Sequence, residues 1–164
     1  MSEQAENKSK QPILVAAGVA VLTALAGGFA TRIGEWYRAL DKPDWNPPDW
    51  LFAPAWTLIY ALAVMAAVLG WRAARSNGER AWLASLFFVN VVLNVAWSFL
   101  FFTLQRPDWA LAEALTLFLS VVALIVFLAR FKPLAAGVLV PYLFWVGFAT
   151  FLNYEIVRLN GPFG

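Results

Sequence analysis

The residues best suited to chemistry are amides and aromatic rings that recur at helical spacing inside apolar segments. They are Asn90, Asn94, Trp97 and Phe101 in one segment, Trp56 and Tyr60 in another, and Trp145, Ala149 and Asn153 in a third. Residues three, four or seven positions apart share one face of a helix. Each segment therefore presents a stripe of hydrogen-bonding groups and flat rings.

Two interpretations of these stripes are open. The amides of Asn90, Asn94 and Asn153 can hold helices together within a bilayer, where each hydrogen bond contributes on the order of 1 kcal/mol. Alternatively, the three stripes line one pocket with aromatic walls and a few amides. An amide exposed to lipid would be left unsatisfied, so both interpretations turn the stripes inward.

The absence of cysteine and histidine restricts the possible chemistry. It excludes disulfides, thiolate nucleophiles, imidazole bases and histidine-containing metal sites. The iron of a bound haem would have only tyrosine or methionine as axial ligands. We therefore expect no metal site, no required cofactor and no conventional catalytic motif.

Charged residues within the apolar segments are few. Glu113 lies one turn into the fourth segment, where a carboxylate could do proton or ligand work but is better explained as an interfacial anchor near a helix N-terminus. Glu155 and Arg158 are three residues apart and predict an interfacial ion pair.

The elements that position these residues follow from composition. The chain of 164 residues is 62% hydrophobic and 13% charged, with a mean hydropathy of +0.67, which is more apolar surface than a soluble domain of this size can bury. Five segments are long enough to cross a bilayer: Ile13 to Thr31, Leu51 to Trp71, Ala81 to Leu104, Trp109 to Ala129, and Leu134 to Ile156. We predict an all-α integral membrane protein, a bundle of five transmembrane helices.

The domain organisation is simple. Residues 1–12 form a polar arm that we expect to be disordered, residues 13–158 one transmembrane domain, and residues 159–164 a short tail. Basic residues are spread along the connectors rather than gathered on one face, which argues against nucleic acid as a partner. A slight excess of Lys and Arg on the side of the arm favours a cytoplasmic N-terminus. The host membrane is left open.

The first connector, from Arg32 to Trp50, is the longest and is rich in tryptophan and proline. Tryptophan favours the membrane interface, and proline stiffens the chain. We interpret this loop as a stiffened lid over the bundle. A stripe of small residues on the first helix predicts close helix packing, either within the bundle or against a second subunit; it consists of Ala16, Ala20, Ala24 and Gly28.

Several of these residues together resemble the TspO/MBR family of translocator and tryptophan-rich sensory proteins, also called peripheral-type benzodiazepine receptors. The matching residues are Trp36-Tyr37, Leu40, Lys42-Pro43, Trp45, Pro47-Pro48, Trp56, Tyr60, Asn90, Asn94, Trp97, Pro141-Tyr142, Trp145, Ala149-Thr150 and Leu152-Asn153. The resemblance extends from Trp36 to Arg158. It does not include the polar arm.

The resemblance implies a five-helix bundle, usually a homodimer, whose first loop caps a pocket for porphyrins and, in some members, sterols. Carried over by position, the ligand-binding residues are Tyr37, Pro47, Trp56, Tyr60, Asn94, Trp97, Trp145 and Ala149, to which the helical stripe adds Asn90. Some bacterial relatives degrade protoporphyrin in light, and the tryptophans with that role match Trp56 and Trp145. Leu152, Tyr154 and Arg158 fit a loose cholesterol-recognition pattern.

Three functions are therefore weighed. The first is a membrane binding and regulatory protein for tetrapyrroles, either porphyrin or haem, and for sterol-like lipophiles. The second is a light-dependent enzyme that degrades porphyrin, and the third is a transporter. An inverted repeat and a discontinuous helix, which are typical of alternating-access transporters, are not apparent in the sequence.

Overall fold

Apolar helices that run back and forth form most of the described chain. The structure is a computed structural model that describes residues 2–163, with side chains from residue 10 onward. Five stretches are long and apolar enough to span a membrane: Lys10–Ala30, Asp49–Ala73, Asn77–Thr103, Pro107–Ala129 and Pro133–Asn160. The prediction of an all-α, multi-pass membrane protein with five spans is confirmed.

The helices of residues 2–163 are α1 (Ser2–Ala30), α2 (Glu35–Ala39), α3 (Phe52–Ala73), α4 (Asn77–Ser98), α5 (Pro107–Ala129), α6 (Pro133–Val138) and α7 (Val140–Asn160). A 3₁₀ turn, Asp49–Leu51, leads into α3, and a π-helical turn, Phe99–Thr103, extends α4. The second to fifth spans thus consist of one or two of these elements each.

Local chemistry explains where three of the helices begin. The Ser76 hydroxyl accepts a hydrogen bond from the Glu79 backbone N–H at 3.1 Å, and the Glu79 carboxylate accepts one from the Arg75 N–H at 2.5 Å. This reciprocal cap satisfies the Glu79 N–H, which the first turn of α4 leaves free, and the Arg75 N–H just before the helix. Pro107 and Pro133 begin α5 and α6, where a missing N–H removes no helical hydrogen bond.

The fifth span departs from the single continuous helix that the sequence predicts. α6 ends at Val138 and α7 begins at Val140. Pro141 has no N–H to donate to the carbonyl of Gly137, and its ring crowds the preceding turn. The span is therefore divided into two helical pieces.

The bounds of α1 include most of the N-terminal arm, since its backbone is helical from Ser2, and the disorder of the arm stays a prediction. Glu, Ala, Gln and Lys, which are good helix formers, make up most of this stretch, and extending a helix is easier than nucleating one. Side chains before Lys10 lie outside the described part. The separation of the arm from the transmembrane domain stays a prediction.

The spans pack into a ring. α1 packs on α3 and α4, and α5 packs on α4 and α7, while α6 bridges α3 and α5. The largest buried cluster lies between these helices and includes Leu83, Leu124, Leu128 and Leu139. α3 and α7 have few close contacts with each other. The ring is thus well packed around one end and loosely closed between α3 and α7 at the other.

Candidate ligand-binding cavity

A cavity of about 420 Å³ lies inside the ring, at the end that carries the first connecting loop. This volume falls within the range of about 300–1,000 Å³ that is usual for small-molecule sites. Its lining comes from α1, the loop, α3, α4 with its π-helical turn, and α7; the residues are Ala24, Gly27, Gly28, Thr31, Ile33, Tyr37, Asp49, Phe52, Ala53, Trp56, Thr57, Tyr60, Asn94, Trp97, Ser98, Phe101, Phe102, Trp145, Ala149, Leu152, Asn153 and Ile156.

Aromatic rings form two walls of the cavity. On one side the rings of Trp56 and Tyr60 stack with centroids 5.6 Å apart, and Trp145 meets Trp56 edge-on at 6.3 Å. On the other side Trp97 stacks on Phe101 at 5.2 Å. These walls offer flat, polarisable surfaces to a ligand that is itself flat.

The polar part of the lining begins a chain of buried hydrogen bonds. The Tyr60 hydroxyl donates to Asn94 Oδ1 at 2.6 Å, and Asn94 Nδ2 donates to the Tyr142 hydroxyl at 3.2 Å. Tyr142 in turn donates to Asn90 Oδ1 at 3.0 Å, and Asn90 Nδ2 donates to the Ser120 hydroxyl at 2.8 Å. Because both ends of the Asn94 amide are engaged, its orientation is fixed.

Two indole groups of the lining differ in how they are held. Trp97 Nε1 donates to Asn153 Oδ1 at 3.0 Å, and Asn153 Nδ2 donates to the Pro107 carbonyl at 2.9 Å, so α4, α7 and α5 are tied together. Trp145 Nε1 is buried but has no acceptor among the described residues. A buried donor without a partner is costly, and the Trp145 indole is therefore held by packing alone.

The loop closes the cavity through Tyr37. This side chain is buried, and its hydroxyl donates to Asp49 Oδ1 at 3.3 Å. Burial, together with the nearby Asp49 carboxylate, raises the pKa of Tyr37 to about 12, so the phenol is neutral. Lys42 Nζ donates to the Tyr37 carbonyl at 2.7 Å and lies 4.3 Å from the centre of the Tyr37 ring.

The loop is also fastened to α7. The Asp41 N–H donates to Asn160 Oδ1, and Asn160 Nδ2 donates to the Asp41 carbonyl, both at 2.8 Å. Trp45 stacks on Phe151 at 5.3 Å and meets Phe148 edge-on at 5.9 Å. These contacts hold the part of the loop that follows Tyr37 against α7.

Seven of the nine predicted ligand-binding residues line this one cavity: Tyr37, Trp56, Tyr60, Asn94, Trp97, Trp145 and Ala149. Pro47 does not; it is half-buried in the loop, and its carbonyl accepts from Asn46. Asn90 does not either, because it is buried one turn deeper and bonds to Tyr142 and Ser120. Asn90 thus only joins helices, whereas Asn94 and Asn153 both line the cavity and bond between helices.

The sequence reasoning missed the wall that α1 contributes. Ala24, Gly27, Gly28 and Thr31 line the cavity, and two of them belong to the small-residue stripe. That stripe was a signal, since small side chains on an inward face leave space.

The remaining predicted residues are separated from each other. Leu152 lines the cavity, but Tyr154 is 48% exposed, and Arg158 pairs with Glu155 at 2.7 Å, which confirms the predicted ion pair. Glu113 differs from the expected interfacial anchor, because both carboxyl oxygens are buried and have no hydrogen-bond partner among the described residues. The sterol pattern as a binding site stays a prediction.

The fold and the cavity together define a class: multi-pass helical membrane proteins with an aromatic cavity under a structured loop. The profile of the TspO/MBR family matches residues 13–159. The chain belongs to this family.

Named relatives agree with this membership. The chain is 36% identical to a tryptophan-rich protein TspO of Chlorobaculum tepidum, with 94% of this chain and 99% of that protein covered. It is 38% identical to a tryptophan-rich sensory protein of Cereibacter sphaeroides (81% and 82% covered) and 34% identical to a translocator protein of Sus scrofa (91% and 92% covered).

Proposed function

We propose that this protein is a membrane binding and regulatory protein for tetrapyrroles, porphyrin or haem, that also accepts sterol-like lipophiles. The observation that carries the proposal is the cavity itself, in which Trp56, Trp97 and Trp145 surround the hydrogen-bonded pair Tyr60 and Asn94. A flat macrocycle needs aromatic faces for stacking and a few polar groups at its rim, and this lining supplies both.

The charge of the lining supports one orientation of such a ligand. Asp49 is the one residue with a formal charge among the described residues that line the cavity. The carboxylates of a porphyrin would therefore be poorly placed deep in the bundle. They belong at the loop end, where the Lys42 ammonium lies against Tyr37 and offsets the nearby Asp49 carboxylate.

The Trp145 ring provides the sharpest test. Protoporphyrin is titrated in the dark against detergent-purified protein, and the quenching of tryptophan emission gives Kd. Trp145→Phe replaces the indole in the cavity wall by a smaller ring, so we expect a Kd about 3- to 10-fold higher, as for the loss of one aromatic contact of about 0.5–1.5 kcal/mol.

Trp82→Phe is the matched control, since Trp82 is 65% exposed and lies outside the cavity. Its Kd should equal that of the unchanged protein. No saturable quenching, or an equal Kd in both variants, would count against the proposal.

A light-dependent porphyrin-degrading activity is the second candidate. It is favoured by the position of Trp56 and Trp145, which line the same cavity with ring centroids 6.3 Å apart. A bound porphyrin absorbs light and, with dioxygen, forms oxidising species, while a neighbouring indole can donate an electron. Illumination of the complex in air should then produce a new absorbing product. The product should be absent in Trp56→Phe and in Trp145→Phe.

A homodimer is part of the proposal. Ala16 and Ala20 are half-buried on the same face of α1 as the two stripe residues that line the cavity. A partner helix on α1 would therefore pack on another face, where Leu14, Val21 and Leu25 are exposed. Measurement of the detergent-corrected mass by light scattering distinguishes a dimer from a monomer.

A further inference from the structure

A second, shallower cavity of about 370 Å³ lies on the outside of the bundle, between α3 and α7. Its lining is apolar throughout and consists of Ala55, Leu58, Ile59, Pro141, Phe144, Trp145 and Phe148. These residues lie within the second and fifth spans, so the hydrocarbon of the bilayer covers this groove.

Trp145 lines both the groove and the inner cavity. The wall between the bilayer and the ligand site is therefore one side chain thick at this point. α3 and α7 have few close contacts of their own here. They are joined mainly by rings, since Trp145 meets Phe52 edge-on at 6.0 Å and Trp56 at 6.3 Å.

No hydrogen bond among the described residues holds the Trp145 ring in place, so rotation of the ring breaks none. Trp97, on the opposite wall, is fixed by its 3.0 Å hydrogen bond to Asn153. Edge-on aromatic contacts are each worth only about 0.5–1.5 kcal/mol beyond area burial. The α3–α7 wall is thus the weak side of the cavity.

The route through the loop is more strongly closed. Opening it would break the two hydrogen bonds between Asp41 and Asn160, separate Trp45 from Phe151, and expose the buried Tyr37. Each of these contacts opposes opening, whereas the α3–α7 wall is held by apolar contacts that a lipophilic ligand could replace.

We infer that a flat lipophilic ligand enters the cavity sideways from the bilayer, between α3 and α7, with the Trp145 side chain as the gate. The groove is its first contact site. This inference rests on the proposed function only in that the cavity binds such a ligand. It implies that a ligand need not cross the aqueous phase to reach its site.

Engineered crosslinks test the route, because the chain has no cysteine of its own. Leu58→Cys with Phe144→Cys places one thiol on each side of the groove, and neither residue lines the inner cavity. Asp41→Cys with Asn160→Cys fastens the loop to α7 instead. Each pair is joined with a short thiol-specific crosslinker, and protoporphyrin binding to the full chain is followed by stopped-flow tryptophan quenching.

Crosslinking the groove should slow both association and dissociation by about tenfold or more and leave Kd within about twofold, because the crosslinked residues, Leu58 and Phe144, do not line the inner cavity. Crosslinking the loop should leave both rates within about twofold. The same proteins before crosslinking are the controls for folding. Slowing by the loop crosslink alone, or unchanged rates with the groove crosslinked, would overturn the lateral route.

The equilibrium data separate this inference from the proposed function. If protoporphyrin binds saturably but the groove crosslink changes neither rate, the entry route is wrong and the binding function stands. If the uncrosslinked protein shows no saturable binding, the binding function is wrong and the entry route falls with it.

Discussion

Removal of the Tyr142 hydroxyl is the most informative single change, because this group joins the two amides of α4. Tyr142 is 2% exposed, and its hydroxyl donates to Asn90 at 3.0 Å and accepts from Asn94 at 3.2 Å. Tyr142→Phe keeps the ring and therefore the packing. It leaves one amide oxygen and one amide N–H without a partner inside the bilayer.

The magnitude follows from the two lost bonds. Hydrogen bonds between membrane helices contribute about 0.6 kcal/mol on average and up to about 1.7 kcal/mol each. Tyr142→Phe should therefore lower the free energy of unfolding by about 1–3 kcal/mol. It should also raise Kd for protoporphyrin several-fold, although Tyr142 does not line the cavity, because the Asn94 amide loses one of the two contacts that orient it.

Unfolding in mixed micelles, titrated with a denaturing detergent and followed by circular dichroism, measures the free energy. Tyr154→Phe is the control, since this ring is 48% exposed, and its change should stay within about 0.5 kcal/mol. If Tyr142→Phe were no less stable than Tyr154→Phe, the hydrogen-bond chain would not hold the helices together. The account of the polar lining would then be wrong.

Three further predictions concern the loop and the helix packing. The pKa of Tyr37 is raised to about 12, so the folded state favours the neutral phenol. The resulting stabilisation is complete below about pH 10, which is the pKa of free tyrosine. It is lost as the pH rises through about 12. Thermal melts at increasing pH should show this loss, and Tyr37→Phe should reduce it. Asn160→Ala removes both hydrogen bonds to Asp41, and hydrogen exchange at the Asp41 amide should become about tenfold faster. Gly70→Ala places a methyl group 2.5 Å from a buried leucine carbon and should lower the unfolding free energy by about 1–3 kcal/mol, whereas Gly28→Ala meets nothing within 4 Å and should not destabilise.

Each of these has a result that contradicts it. An identical loss of stability above pH 10 in Tyr37→Phe would show that other groups cause it. Unchanged exchange at Asp41 in Asn160→Ala would mean that the loop is held elsewhere. Equal stability of Gly70→Ala and Gly28→Ala would mean that the α3 packing around Gly70 is looser than described.

The sequence alone determined the five spans, since the length and polarity of a helix in a bilayer are dictated by local composition. It also determined that the amide and aromatic stripes face inward, because lipid cannot satisfy polar groups. The class of chemistry followed from the same source, as a chain without histidine or cysteine has few catalytic options.

Only the tertiary structure decided which inward residues meet. Asn90 and Asn94 lie on the same stripe, but the Tyr142 hydroxyl, from a helix far along the chain, occupies the space between their amides. Asn94 is left at the cavity, while Asn90 is enclosed in the core. Pro47 shares the loop with Tyr37, yet the fold of the loop places one of them in the lining and the other outside it.

The position of the cavity could not be predicted from the sequence either. The small residues of α1 could have served a dimer or the bundle, and the packing of α1 on α3 and α4 places Ala24 and Gly28 at a cavity. The thin wall at Trp145 exists because α3 and α7 make few close contacts. How closely two helices pack depends on how all five spans share one core, which local spacing does not specify.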